Sequence, residues 1–199
     1  MSAQLPRALY QLQAVFFDLD GTLVDSHLDF AAIREELGFP QGIGLIEHMA
    51  TLPEGEVAAA WSVIDRHEHA GAMAATWMPG ARELLAALQA SPLATGILTR
   101  NSRKAVEVMA DKLGMTVPHV LCRDDCAAKP DPQGLLRLAE ITGCDPKRCL
   151  YVGDFAYDLQ AARNAGMIAT LYRTARNARF EPEADCCIDH FDQLQPLIP

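Results

Sequence analysis

The stretch AVFFDLDGT, residues 14 to 22, is an apolar run that ends in two carboxylates. Such a run is typical of a buried β-strand, and Asp18 and Asp20 follow it closely. Successive strand residues point to opposite faces, so the two acids share a face, or a turn at Gly21 directs both into one cleft. Like charges so close require a cation or a shared proton, unless the turn is simply solvated. Both interpretations are open for this segment alone.

Composition places the chain among globular proteins. Its 199 residues are 50% hydrophobic, which suffices for one domain with a small insertion. A net charge of -9 argues against nucleic acid and anionic lipid as partners, because both demand clustered Lys and Arg. No apolar stretch reaches the roughly 18 residues of a membrane span, and the first residues show no secretory pattern, so we expect no membrane partner and a cytoplasmic location. We expect the six cysteines to be reduced.

Short apolar runs alternate with amphipathic helical patterns after residue 77. They predict four further strands, at residues 96–99, 117–122, 149–152 and 168–172. Apolar strands that alternate with helices indicate an α/β fold with a parallel sheet and helices on both faces. The segment 25–76 shows helical patterns only. We therefore predict a core domain of residues 1–24 and 77–199 and a small α-helical domain of residues 25–76, inserted after the first strand.

Polar residues cluster at the ends of the later strands, where ligands of such sheets bind. Thr99 and Asn101 stand before a helix, where a hydroxyl and an amide can cradle an anion or merely cap the helix. Lys129 lies in a proline-stiffened segment, where it can neutralise a phosphate or stay solvated. Asp154 and Asp158 follow the strand at 149–152. If these two carboxylates lie near Asp18 and Asp20, the four negative charges would repel one another unless a hard cation and the lysine neutralise them.

The motifs FDLDGTLVDS, LTRNS, KPDP and GDFAYDLQAARNAG follow one another in the chain. In this order they resemble those of the haloacid dehalogenase-like hydrolases, in the branch that includes phosphoglycolate phosphatase. The resemblance covers residues 14 to about 173. It implies a Rossmann-like parallel sheet, a helical cap over residues 25–76, and Mg²⁺-dependent hydrolysis of a small phosphorylated metabolite.

The resemblance also implies roles for individual side chains. Asp18 is the expected nucleophile, which attacks phosphorus and forms an aspartyl-phosphate, and Asp20 is the expected acid and base. Mg²⁺ is expected on the Asp18 carboxylate, the Asp20 carbonyl and Asp154. Asp158 is expected to orient a metal-bound water or the lysine. The residues expected to bind the phosphoryl oxygens are Thr99, Asn101 and Lys129.

Several questions stay open within the resemblance. Arg100 departs from the family pattern, in which a small or amide residue commonly follows the threonine. The cap is short for this branch, which favours a small substrate or an open site. Its candidate substrate contacts are His27, Arg34, His48, His67 and His69. A sugar phosphomutase would share every motif, and a phosphate-binding module without turnover is the alternative from another class. The chain could be a monomer or a dimer.

Overall fold

The computed structural model describes residues 11–198. The eight strands of this part of the chain are β1 (Ala14–Phe17), β2 (Val24–Asp25), β3 (Thr76–Trp77), β4 (Ala94–Leu98), β5 (His119–Leu121), β6 (Cys149–Gly153), β7 (Ile168–Tyr172) and β8 (Cys186–Ile188). Its seven α-helices are α1 (Phe30–Leu37), α2 (Leu45–Met49), α3 (Glu54–Ala74), α4 (Ala81–Gln89), α5 (Arg103–Leu113), α6 (Gln133–Thr142) and α7 (Ala156–Asn164). Short 3-10 segments occupy Pro146–Arg148, Ala178–Glu183 and Phe191–Leu197.

Six of the strands form one parallel sheet in the order β5-β4-β1-β6-β7-β8. Strand β1 is central and pairs with β4 on one side and β6 on the other. Its carboxyl end therefore lies where the strand order reverses, which is the usual ligand position in such sheets. The predicted α/β fold is confirmed, and each predicted strand lies within two residues of its expected bounds.

Helices bury an apolar layer on each face of this sheet. On one face, α4, α5 and the last 3-10 segment bury Leu84, Val106 and Phe191. On the other face, α6 and α7 bury Leu138 and Leu159. Strands covered on both faces are apolar throughout, which explains why β1 and β6 show no polar alternation. Among the described residues, no helix is long and apolar enough to cross a membrane.

The helices α1, α2 and α3, which lie between β2 and β3, enclose an apolar cluster of their own around Ile33, Met49 and Ile64. We call this helical group the cap. Helix α1 ends at Gly38, which is left-handed with φ 67°, where the sequence predicts the stop. Phe30, the first residue of α1, lies outside this cluster and is 51% exposed. The domain boundary at residues 25–76 stays a prediction.

The segment after β7 forms an edge strand, β8, which pairs with β7 and is followed by the 3-10 segment Phe191–Leu197. Neighbouring residues of a strand point to opposite faces, and Cys186 and Cys187 accordingly pack against the two different apolar layers. Both are half-buried. All six cysteines carry free thiols.

Candidate active site

The chain leaves β1 in a tight turn that presents Asp18 at the end of the sheet. The Asp18 N–H donates to the Val152 carbonyl at 2.8 Å, so pairing with β6 continues to this residue. Gly21 is left-handed with φ 85°. A Cβ at Gly21 would lie 2.7 Å from Asp154 Oδ2. Both the turn and the close approach of a second carboxylate therefore require glycine here.

Three carboxylates converge at this end of the sheet. One oxygen from each of Asp18, Asp154 and Asp158 lies within 4.8 Å of the others. Burial raises the pKa of Asp18 to about 7, helped by the charge of Asp158 and opposed by Lys129. Burial and the neighbouring carboxylates raise the pKa of Asp154 to about 8. A cation bound beside Asp18 and Asp154 would favour the ionised form of both carboxyl groups.

Lys129 is the cation that the chain itself places in this cluster. It is 4% exposed, and its Nζ donates to Asp18 Oδ1 at 2.5 Å and to Asp158 Oδ1 at 2.6 Å. Burial opposes the charge on Lys129, but the two carboxylates outweigh it and raise the pKa of the ammonium group. One oxygen of Asp18 is thereby committed to the lysine. From the described part of the chain, the other oxygen, Oδ2, receives only a 3.5 Å contact from the Thr22 hydroxyl.

Tyr151 is a part of the site that sequence reasoning missed. Its Oη lies 3.1 Å from Lys129 Nζ and 3.3 Å from Asp158 Oδ1, and it donates to the Leu98 carbonyl at 3.0 Å. Asp158 Oδ2 in turn accepts the Phe155 N–H at 3.0 Å. Asp158 is thus fully engaged in holding the lysine and the start of α7. The only available sequence signal was a hydroxyl in the otherwise apolar run of β6.

Asp20 lies apart from the three converging carboxylates, although its charge still reaches Asp154 and raises the pKa of that group. The turn after β1 ends strand periodicity, and the Asp20 side chain faces the entry to the cap instead. Its Oδ1 accepts the Ser26 N–H at 2.9 Å and its Oδ2 accepts the Ser26 hydroxyl at 2.6 Å. Burial raises the pKa of Asp20, although the Ser26 hydrogen bonds oppose the shift. A carboxyl that keeps its proton to higher pH suits a proton donor.

Several oxygen atoms at this site can bind a hard cation, because they accept few or no hydrogen bonds from the described residues. Among residues 11–198, no group donates a hydrogen bond to the Asp154 carboxylate or to the Asp20 carbonyl oxygen. Asp18 Oδ2 has only its weak hydroxyl contact. Carboxylate and carbonyl oxygens are the ligands that Mg²⁺ prefers, so this donor set fits the ion.

Thr99 and Asn101 lie at the end of β4 and are both buried. The Thr99 Oγ1 accepts the Asn101 N–H at 3.2 Å. Ser102 is the N-cap of α5 and accepts the Ala105 N–H, so capping does not need the two preceding side chains. Within the described part of the chain, Asn101 Nδ2 is buried without a partner. A buried donor without an acceptor is costly, and an anion there would satisfy it.

Comparison with known proteins identifies the family. Residues 12–166 match the haloacid dehalogenase-like hydrolases. The chain belongs to this hydrolase family. It is 29% identical to the N-acetylmuramic acid 6-phosphate phosphatase of Pseudomonas aeruginosa, over 94% of this chain and 95% of that protein. It is 32% identical to the phosphoglycolate phosphatase of Chromobacterium violaceum, over 81% of this chain and 85% of that protein.

Solved structures show the same fold. A provisionally named phosphoglycolate phosphatase from Lactobacillus plantarum superposes with a TM-score of 0.80 at 22% identity, covering 94% of this chain and 100% of that one. A haloacid dehalogenase-like hydrolase from Streptococcus pneumoniae superposes with a TM-score of 0.72, also at 22% identity, covering 94% and 98%. Together with the sequence match, these superpositions confirm the predicted family and fold.

In this haloacid dehalogenase-like hydrolase, the cap is fastened to the core through Arg123, which follows β5. The guanidinium donates to Glu68 Oε1 at 2.5 Å, pairs with Asp65, and lies 4.2 Å above the centre of the Trp61 ring. The second Glu68 oxygen accepts the Ser102 N–H at 3.1 Å, at the start of α5. One buried glutamate of the cap thus bridges two elements of the core.

Four of the five cap residues predicted to contact substrate have partners elsewhere in the hydrolase, among them His27, whose ring lies 3.1 Å from Asp25. His67 Nε2 lies 2.9 Å from Glu36, and His48 packs edge-on against Phe39. Arg34 donates to backbone carbonyls within the cap. Within residues 11–198, the cap side chains that form hydrogen bonds with core side chains or backbone are acidic: Glu47, Asp65 and Glu68. Sequence reasoning missed them because acidic residues on a helix are ordinarily solvated.

Proposed function

We propose that the chain is a Mg²⁺-dependent phosphatase that hydrolyses a small phosphomonoester through an aspartyl-phosphate intermediate. The proposal rests on the buried contact between Lys129 and Asp18, beside an Asp154 carboxylate that no group within residues 11–198 engages. Two relatives that match most of the chain are phosphatases by name, which supports the same reaction class.

Asp18 supplies the nucleophile in this proposal. One oxygen of the carboxylate attacks phosphorus, and the other is available to the metal. A bond forms between the attacking oxygen and phosphorus while the bond between phosphorus and the ester oxygen breaks. The product is an aspartyl-phosphate on Asp18 and an alcohol. The contact with the lysine keeps the carboxylate in one orientation, so less freedom is lost as the attack begins.

Asp20 moves the proton. Its raised pKa allows it to carry a proton, which it donates to the ester oxygen as that oxygen leaves. The resulting carboxylate then accepts a proton from the water that attacks phosphorus of the aspartyl-phosphate. This second displacement breaks the bond between phosphorus and Asp18, releases inorganic phosphate and restores both side chains.

Hydrogen-bond donors that are already in place stabilise the negative charge of the phosphoryl oxygens. Lys129 and Thr99 are buried, and the Asn101 amide lacks an acceptor among residues 11–198. Donors already in place stabilise developing charge without reorganisation. Mg²⁺, held by the carboxylates of Asp18 and Asp154 and the carbonyl at residue 20, would neutralise further negative charge on the phosphoryl group.

The test is phosphate release from a panel of small monoesters, with MgCl₂ and with EDTA. We expect metal-dependent release that falls at least about a thousandfold in Asp18→Asn, because the nucleophile is lost. Asp111→Asn, on the exposed face of α5, is the matched control and retains activity. Activity that survives Asp18→Asn contradicts the proposal.

Two other results would assign a different function. Conversion of a sugar 1-phosphate to its isomer with a bisphosphate primer, without free phosphate, would identify a phosphomutase. Tight binding of Mg²⁺ and a phosphate analogue without turnover on any monoester would identify a binding module. The cytoplasmic location stays a prediction of the sequence.

A further inference from the structure

We propose that Arg100 binds a carboxylate of the substrate, and that the substrate is therefore a phosphorylated hydroxy acid or sugar acid rather than a neutral phosphate ester. The proposal rests on the phosphatase function above and adds a residue that selects the substrate. Arg100 is also the residue at which the sequence departs from the family pattern.

Arg100 is placed at the rim of the candidate site. It follows Thr99 directly, and its guanidinium lies 4.8 Å above the centre of the Tyr157 ring. Tyr157 precedes Asp158 in the first turn of α7. The Arg100 side chain is 22% exposed, so it is anchored on one flat side and open on another. A guanidinium stacked on an aromatic ring keeps its in-plane donors available for a bidentate acceptor.

A carboxylate of the protein already occupies part of this position. Arg100 donates from one terminal nitrogen to Glu47 Oε1 of the cap at 2.7 Å, and makes no other hydrogen bond within residues 11–198. The second Glu47 oxygen is buried without a partner in the same part of the chain. A guanidinium can offer two parallel donors to one carboxylate, so this contact satisfies neither side. Glu47 thus shows that a carboxylate fits beside Arg100, and in the proposal the carboxylate of the substrate takes its place.

Arg123 shows what a purely structural arginine looks like at the same boundary. It bonds both Glu68 and Asp65, stacks on Trp61, and is only 10% exposed. Both terminal nitrogens and the face of that guanidinium hold the cap. Arg100 has one hydrogen bond within residues 11–198 and a side chain that is 22% exposed, so the other donors of its guanidinium are available to a ligand.

The names of the relatives agree with this chemistry. Phosphoglycolate and N-acetylmuramic acid 6-phosphate differ greatly in size. Both nevertheless carry a phosphate ester and a carboxylate on one molecule. A charged second group is thus the property that the named substrates of these two proteins share.

The experiment pairs phosphorylated hydroxy acids of increasing chain length, starting with 2-phosphoglycolate, each with its uncharged carboxamide. A hydrogen-bonded ion pair is worth about 1.5–3 kcal/mol, so we expect the best acid to exceed its amide by about tenfold to a hundredfold in kcat/KM. In Arg100→Met the acid-to-amide ratio falls to about one, and the loss for the acid appears mainly in KM. Arg123→Met is the matched control and keeps the wild-type ratio.

Glu47→Gln provides a second variant. It removes the competing carboxylate, so the acid-to-amide ratio rises several-fold. A fall in the ratio would overturn the displacement of Glu47 by substrate. Binding of the acid and the amide to Asp18→Asn, measured by calorimetry, gives the same comparison without turnover.

The results separate this proposal from the phosphatase function. Hydrolysis of both members of each pair at equal rates, or a ratio unchanged by Arg100→Met, overturns the role of Arg100 and leaves the phosphatase intact. Equal loss for acid and amide in that variant assigns Arg100 to the phosphate and also overturns it. Failure of the wild type to hydrolyse any monoester overturns the phosphatase, and calorimetry then decides the carboxylate preference.

Discussion

Replacing Asp154 by asparagine is expected to stabilise the metal-free protein at pH 8, although it removes a residue of the candidate site. Asp154 is largely buried beside Asp18 and Asp158, and within residues 11–198 nothing donates a hydrogen bond to its carboxylate. Without a bound cation, its negative charge is therefore a cost to the folded state. Asparagine has nearly the same shape and no charge.

The size of the effect follows from the pKa of Asp154, which burial raises from 3.8 to about 8. The folded state binds this proton more tightly than the unfolded state does. The resulting stabilisation is therefore present at low pH and is lost as the pH rises towards 8. Three pH units lie between pH 5 and pH 8, each worth about 1.4 kcal/mol, so wild type loses about 4 kcal/mol from this group. For a domain of this size, the loss lowers Tm by about 8–16 °C.

The assay is unfolding by urea and by heat in EDTA, from pH 5 to pH 8, repeated with MgCl₂. Wild type should lose stability as the pH rises and regain it with Mg²⁺ at pH 8, because the ion binds only the folded state. Asp154→Asn should show a flatter pH dependence, in which the remaining loss comes from Asp18, and little response to Mg²⁺. The exposed control Asp111→Asn should behave like wild type. A variant that loses stability as steeply as wild type between pH 5 and pH 8 would refute the reasoning.

Three further changes probe the support around the site. Gly153→Ala would place a Cβ 2.2 Å from the Asp158 Cβ. We expect the free energy of unfolding, measured in urea, to fall by about 1–3 kcal/mol and the variant to have little activity. Full activity would show that α7 can shift without cost. Tyr151→Phe removes the hydroxyl beside the buried Lys129 ammonium group. We expect kcat to fall about tenfold, while Tm is lowered only slightly. An unchanged kcat would show that the hydroxyl does not position the lysine. Glu68→Ala leaves Arg123 without its best partner, and we expect about 3 kcal/mol of destabilisation; an unchanged Tm would mean that this contact does not hold the cap.

Local sequence was sufficient to predict the strands and helices and many of the residues of the candidate site. The apolar run at residues 14–17 is β1 without adjustment, and Gly38 ends α1 where a left-handed residue was expected. Alternation of strands and helices predicted the parallel sheet, since only a sheet covered on both faces needs strands that are apolar throughout. The sheet then brings Asp18, Asp154 and Lys129 together, as expected of residues at the carboxyl ends of neighbouring parallel strands.

The orientations of side chains and the contacts between the cap and the core could not be predicted from the sequence. The Asp20 side chain turns to Ser26 because the turn at Gly21 interrupts the two-residue period of the strand. The hydroxyl of Tyr151 meets the lysine only because β6 and the loop before α6 pack side by side.

Motif spacing determined which residues gather at the end of the sheet, because strand period and parallel pairing are local and regular. The tertiary structure alone decided which carboxylate stays free, which is held by Lys129, and which cap side chain faces Arg100. Lys129 and Asp18 are 111 residues apart, and Arg100 and Glu47 are 53 apart. Contacts over such distances arise from the packing of whole elements, which no short stretch of sequence encodes.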